Sequence, residues 1–135
     1  MAGRLATRTA LVMGAGQTPG DTLGNGRATA LRFAQEGAVV VCADNRSESA
    51  GDTVEMIRSA GGEASAIEVE VTDEASVAGA IESSARRLGR IDILHNNVGI
   101  GLGDAGATAI TEAAFDRIVD VNLKGTIFAC KHVLP

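Results

Sequence analysis

Four apolar runs punctuate the chain, separated by stretches whose apolar residues recur at helical spacing. Thr9-Ala10-Leu11-Val12-Met13 and Ala38-Val39-Val40-Val41-Cys42-Ala43 are short and β-prone. The second is apolar throughout rather than alternating, the pattern of a parallel strand covered on both faces. Ala64–Val71 reads as a weaker third strand and Ile91–His95 as a fourth. Between them, Ala28, Leu31 and Ala34 share one helical face, as do Ala50, Val54 and Ile57, and Val77, Ile81, Ala85 and Leu88. Asn45 with Glu48 three residues on predicts a capping box for the second helix, and Asp73 predicts an N-cap for the third. Gly61-Gly62 and Gly89 stand where C-terminal glycines end helices. After a loose Gly101–Gly106 segment, Thr111–Leu134 is compatible with one long helix.

Strand and helix alternating in this way predict an α/β domain spanning residues 1–135. Right-handed crossovers between parallel strands give a Rossmann-type doubly wound sheet in the order 3-2-1-4, with helices on both faces and the long helix following. The size is that of one domain: 135 residues, 45% hydrophobic and 21% charged, which excludes a disordered chain. No apolar run approaches the about 18 residues of a membrane span, so no membrane association is expected. Seventeen acidic against 12 basic residues give a net charge of −5, which argues against a nucleic-acid partner. Cys42 and Cys130 sit in apolar runs without metal-ligand spacing, so no metal site is expected, and reduced thiols point to the cytoplasm. Met1–Arg8 lacks the apolar core of an export signal. There is no Tyr and no Trp, so this chain cannot supply a phenol as a proton donor.

Chemistry concentrates in the first strand-to-helix turn. Gly14, Gly16, Gly20, Gly24 and Gly26 crowd it, where backbone free of Cβ atoms can approach a diphosphate at a helix N-terminus. Asp44 closes the second strand, 30 positions after Gly14, where a carboxylate can accept both hydroxyls of an adenosine ribose. A 2′-phosphate ~4 Å from that carboxylate would cost about 4 kcal/mol per charge pair at an effective dielectric near 20, favouring NAD over NADP. Arg46 is the residue that could swing over such a phosphate and offset the repulsion. Asp44 has a plainer alternative as a helper in capping the next helix.

With Gly14, Asp44, Asp73, Asn96-Asn97-Val98-Gly99 and Val121-Asn122 in this order, the chain resembles the cofactor-binding half of the short-chain dehydrogenase/reductase family. Gly14, Gly24 and Gly26 match the family's Gly-x-x-x-Gly-x-Gly, Asn96, Asn97 and Gly99 its Asn-Asn-Ala-Gly, and Asn122 its helix Asn. The resemblance implies an NAD(P)-dependent hydride transfer between nicotinamide and an alcohol or carbonyl substrate. It also implies that Gly14, Gly16, Gly24, Asn25 and Gly26 cradle the diphosphate, and that Asp44, Asn45 and Arg46 meet the adenosine ribose. Asp73, with Val71 nearby, would meet adenine, a role compatible with its helix cap. Asn96, Asn97 and Gly99 would wall the nicotinamide side, and Asn122, the one catalytic residue expected here, would anchor a water in a proton relay. Family members often form oligomers through the fifth and sixth helices, so pairing through the last helix is expected.

Three departures stand out. Gly14 and Gly26 lie 12 positions apart, six more than the family spacing. Met13 and Asn25 replace a usual Thr and a usual apolar residue. The family's Ser and Tyr-x-x-x-Lys have no counterpart, and neither Lys124 nor Lys131 has a Tyr at that spacing. The chain alone is therefore expected to be inactive, and a non-catalytic NAD-binding or subunit-interaction protein is the competing reading. His95, beside the Asn pair, is expected to be a packed neighbour, and Ile127, Phe128, Val133 and Leu134 to lie exposed on the last helix.

Overall fold

A computed structural model describes residues 3–135; Met1 and Ala2, which open the stretch read above for an export signal, lie outside the described residues. In chain order the elements are β1 (Thr9–Met13), α1 (Asn25–Gln35), β2 (Val39–Asp44), α2 (Ser47–Ser59), β3 (Ala64–Glu68), α3 (Glu74–Leu88), β4 (Ile93–Asn96), α4 (Glu112–Val119) and α5 (Gly125–Val133). The four strands are parallel in the order β3-β2-β1-β4, as the sequence predicts. The fold is Rossmann-like.

Alternate residues of each inner strand enter opposite cores, which is why the runs read as continuously apolar. Leu11, Met13, Val41 and Ala43 pack with Val77 and Ile81 of α3 and Ala129 of α5. Val12, Val40 and Cys42 pack on the other face with Ala30 of α1 and Ala50, Val54 and Ile57 of α2. Burial pushes the Cys42 thiol up to about 12, so it is a core residue rather than a nucleophile.

The ends of elements differ in places from the sequence expectation. The Asn45–Glu48 capping box does not form: α2 starts at Ser47 behind Arg46, with no side-chain cap. Asp73 does cap α3, accepting from Ala75 N at 3.0 Å. Gly89 ends α3 in the left-handed region at φ 78°, and Gly61 follows α2 at φ 85°. β3 stops at Glu68 rather than Val71 because its ladder partner β2 ends at Asp44: Val69 N makes the last bond to that strand, to Asp44 O at 3.0 Å, and Glu70 N turns to Ser76 Oγ at 2.9 Å. The long last helix contains a π turn, Asp120–Lys124, between α4 and α5. Phe128 and Val133 pack on the core instead of facing solvent; the exposed apolar side chains there are Phe115, Leu123, Ile127 and Leu134.

At the opposite end of the sheet Asp92 fastens β1 to the approach to β4. Its Oδ2 accepts from Thr9 N at 3.0 Å and from Thr9 Oγ1 at 3.1 Å, with Arg8 and Arg90 beside its other oxygen. The Thr9 amide, its hydroxyl and the two guanidinium groups hold this carboxyl below the usual carboxylate range. A second tie joins α3 to α5: Glu74 accepts from Lys131 at 2.6 Å and contacts His132 at 3.0 Å, and these two partners lower its pKa. No helix among the described residues is long and apolar enough to cross a membrane.

Candidate functional site

A cleft of about 650 Å³ opens at the carboxyl ends of β1, β2 and β4, where the strand order reverses. Gly14 begins it at φ 80°, a left-handed conformation; a Cβ there would also press to 3.1 Å from Val98 Cγ2. Its N–H and that of Ala15 both donate to Ala43 O, at 2.8 and 3.0 Å, tying the turn to β2. Gly26 lies in the first turn of α1, and a Cβ on it would fall 1.8 Å from Gly14 O. Only hydrogen at that position lets the helix start touch the glycine turn. Gly24 is the N-cap of α1, with no side-chain cap and no acidic residue in the first turn. The positive end of the helix dipole is therefore left for an outside anion.

Asp44 closes β2 on the same cleft. Its Oδ2 accepts from Gly16 N at 2.9 Å and its Oδ1 from Arg46 N at 3.0 Å. A Cβ on Gly16 would sit 2.7 Å from Asp44 Oδ2, so this glycine is what allows the carboxylate and the turn to meet. An ionised carboxylate has about four lone-pair sites, so two backbone donors fix its direction and leave capacity for two hydroxyls. Asn45 and Arg46 line the rim, and Arg46 Nη2 donates to Gln17 O at 2.7 Å.

The far wall comes from β3 and β4. Val71 lines the cleft and backs the last helix, where a Cβ on Gly125 would fall 2.9 Å from Val71 Cβ. Asn97 Nδ2 donates to Gly14 O at 3.2 Å, joining β4 to the glycine turn, and Gly99 continues the wall. Of the sequence-expected residues, Gly14, Gly16, Gly24, Asn25, Gly26, Asp44, Asn45, Arg46, Val71, Asn97 and Gly99 all border this cleft. Asp73, Asn96 and Asn122 are not on its wall. Asp73 is occupied as the α3 cap, and Glu70 stands on the wall near β3 instead, its Oε1 accepting from Thr72 N at 3.1 Å and Thr72 Oγ1 at 2.8 Å. Asn96 Nδ2 lies 3.6 Å from Cys130 Sγ and so ties β4 to α5.

Asn122 sits in the π turn and spends its side chain on one neighbour: Oδ1 accepts from Ile100 N at 2.8 Å and Nδ2 donates to Ile100 O at 2.9 Å. Insertion of a π turn is a recurrent device at functional positions. The carboxamide keeps one acceptor lone pair and one N–H beyond those two bonds. Ile100 itself lines the cleft, so Asn122 acts on the wall through it. His95 packs edge-on against Phe33, ring centroids 6.2 Å apart, away from the cleft wall. Lys124 pairs with Asp120 at 2.8 Å and Lys131 with Glu74, so neither points to the cleft. Sequence reading missed Glu70, Gln17 and Ile100; an acid directly before Val71-Thr72 at a strand end was the signal for the first.

These residues suit a dinucleotide: a Cβ-free turn for the diphosphate, an oriented carboxylate for a sugar, and an apolar-and-amide wall opposite. The profile of the family described as short chain dehydrogenase matches residues 8–135. The chain is 37% identical over 133 residues to an uncharacterized oxidoreductase, YxbG, of Bacillus subtilis, covering 98% of this chain and 46% of that protein. It superposes on the crystal structure of a short-chain dehydrogenase/reductase from Burkholderia xenovorans with a TM-score of 0.92 and 44% identity, covering 99% of this chain and 52% of that one. A 7α-hydroxysteroid dehydrogenase complexed with NADH and 7-oxo glycochenodeoxycholic acid superposes with a TM-score of 0.85 at 30% identity, covering 96% of this chain and 48% of that one. The chain thus spans about half the length of the relatives it matches. Family profile, glycine turn and sheet order together make it a member of the short-chain dehydrogenase family.

Proposed function

We propose that this chain supplies the NAD-binding half of an oxidoreductase acting on a small alcohol or carbonyl substrate. The observation that carries the reading is that Gly14, Gly26 and Asp44 border one cleft, with Asp44 already aimed by two backbone donors. Bound there, a nicotinamide dinucleotide would supply the hydride acceptor or donor of the reaction. The protein's own part is to hold it. The first turn of α1 and the glycine backbone receive the diphosphate, Asp44 accepts the ribose hydroxyls, and Glu70 with Val71 borders the adenine end. Asn97 and Gly99 flank the nicotinamide end, and Asn122 braces Ile100 beside it, with one donor and one acceptor free to hold a water.

The Asp44 carboxylate favours NAD, since a 2′-phosphate beside it brings two anions together. Arg46, the residue that could neutralise that phosphate, has one guanidinium nitrogen committed to Gln17 O. Titration by NADH fluorescence tests the reading directly. Saturable NADH binding at least about tenfold tighter than NADPH is expected, and Asp44→Asn should weaken NADH by about tenfold, the scale of a lost charge-assisted hydrogen bond. The absence of saturable NADH binding to the wild-type chain would overturn it.

With no Tyr among its 135 residues, the chain alone should give no NADH from NAD and an alcohol. A second reading is a protein that holds NAD or pairs with another subunit without chemistry of its own. The unpaired outer edge of β4 and the exposed Phe115, Leu123, Ile127 and Leu134 fit such pairing, including with a second copy of this chain. A cytoplasmic location fits the two free cysteines among the described residues.

A further inference from the structure

Deleting Thr18–Leu23 would leave Gly14-Ala15-Gly16-Gln17-Gly24-Asn25-Gly26, the glycine spacing of the family. All six of those intervening residues are exposed, whereas Gln17 and Gly24 at the two ends are partly buried. Gln17 has a partner for every polar group it carries. Its backbone is held from α2 and its approach: N–H donates to Ser49 Oγ at 2.7 Å, and C=O accepts from Arg46 Nη2 at 2.7 Å and from Ser49 Oγ at 3.2 Å. Its side chain crosses the loop: Oε1 accepts from Gly24 N at 2.7 Å, and Nε2 donates to Thr22 O.

We propose that Gln17 is a positioning residue whose carboxamide bridges the two ends of this insertion and holds the first turn of α1 in place for a cofactor diphosphate. The inference rests on the NAD-binding reading above. A helix start can serve an anion only if its N–H groups stay fixed to within about 0.5 Å, and Gly24 brings no side chain to cap its own helix. In the family spacing the turn is too short to need a clip. With six added residues the helix start is tethered to β1 through exposed chain, and Gln17 restores the short connection through its side chain. Because Arg46 and Ser49 hold the Gln17 backbone independently, removing the carboxamide frees the loop and the helix start without dislodging Gln17 itself.

The absence of Trp and Tyr leaves NADH emission free of protein fluorescence, so affinities can be read directly and by competition with ADP and adenosine. Gln17→Met keeps the side-chain length and removes both carboxamide bonds. It is expected to weaken NADH and ADP by about tenfold and adenosine, which lacks the diphosphate, by less than about twofold. In the chain lacking residues 18–23 the same substitution should change NADH affinity by less than about twofold. Unchanged NADH affinity in Gln17→Met, an equal loss for adenosine, or an equal loss in the shortened chain would each overturn the assignment. If the shortened chain does not fold, the ratio of NADH loss to adenosine loss decides: about five or more supports the clip, and a ratio near one overturns it. Wild-type chain that fails to bind NADH removes the cofactor reading itself, a result distinct from any of these.

Discussion

Gly26 shows how narrowly single residues define the cleft. A Cβ there would overlap Gly14 O at 1.8 Å, so Gly26→Ala must push α1 away from the turn or distort both. The substitution is expected to cost about 1–3 kcal/mol in urea unfolding, as overpacking does, and to remove NADH binding even where the chain stays folded. Asn122→Ala should leave the fold intact but release Ile100, whose backbone both side-chain atoms hold; faster amide exchange at Ile100 is the check. At this scale the glycines and Asp44 are legible from their places in the first turn and at the end of the second strand, and Asn97 from the family motif it matches. Asp73 and Glu70 are not separable that way. Both are acids at the β3–α3 junction, and which one borders the cleft depends on β3 stopping at Glu68, where its partner strand ends at Asp44 and Glu70 N turns to Ser76.

Among elements, the strands were legible from hydrophobic runs and the crossovers from helical spacing, because burial on both faces leaves a compositional trace. The π turn left none: Asp120–Lys124 is as helix-compatible as its flanks, and its presence is decided by packing. Phe128 and Val133, expected to lie exposed on the last helix, pack on the core, a placement that tertiary contacts decide. The β1–β4 fastening by Asp92 carries its own pH signature. A carboxyl whose folded pKa is depressed stabilises the fold above its unfolded value of about 3.9 and loses that contribution as pH falls through the folded value. Urea midpoints of wild type and Asp92→Asn should differ at pH 7, and the gap should narrow as pH falls below ~4. A gap that does not narrow would mean that the Thr9 and arginine contacts contribute little as a charged set.

For the whole molecule, the relation to its relatives matters most: the chain matches about half of each, and among the described residues the outer edges of β3 and β4 and one helix stripe lack partners. Unpaired strand edges and apolar stripes recruit other chains. Purified chain should accordingly self-associate in a concentration-dependent way by sedimentation, and replacing Leu123 and Ile127 together by Glu should lower the association without lowering NADH affinity. The core, by contrast, is complete around β1. Leu11 is fully enclosed between the sheet and α3, and Leu11→Ala should cost about 2–5 kcal/mol of stability.

Cys42 turns that enclosure into a clock. Its sulfur is unreachable while β2 stays in the sheet, whereas Cys130 is only partly covered at the last helix. Under native conditions an alkylating reagent therefore marks the second thiol first, and the slow arrival of a second adduct in the mass spectrum counts excursions in which the central strands part. Ligands that tighten the sheet should slow that second event, giving a label-based assay of cleft occupancy that needs no catalysis.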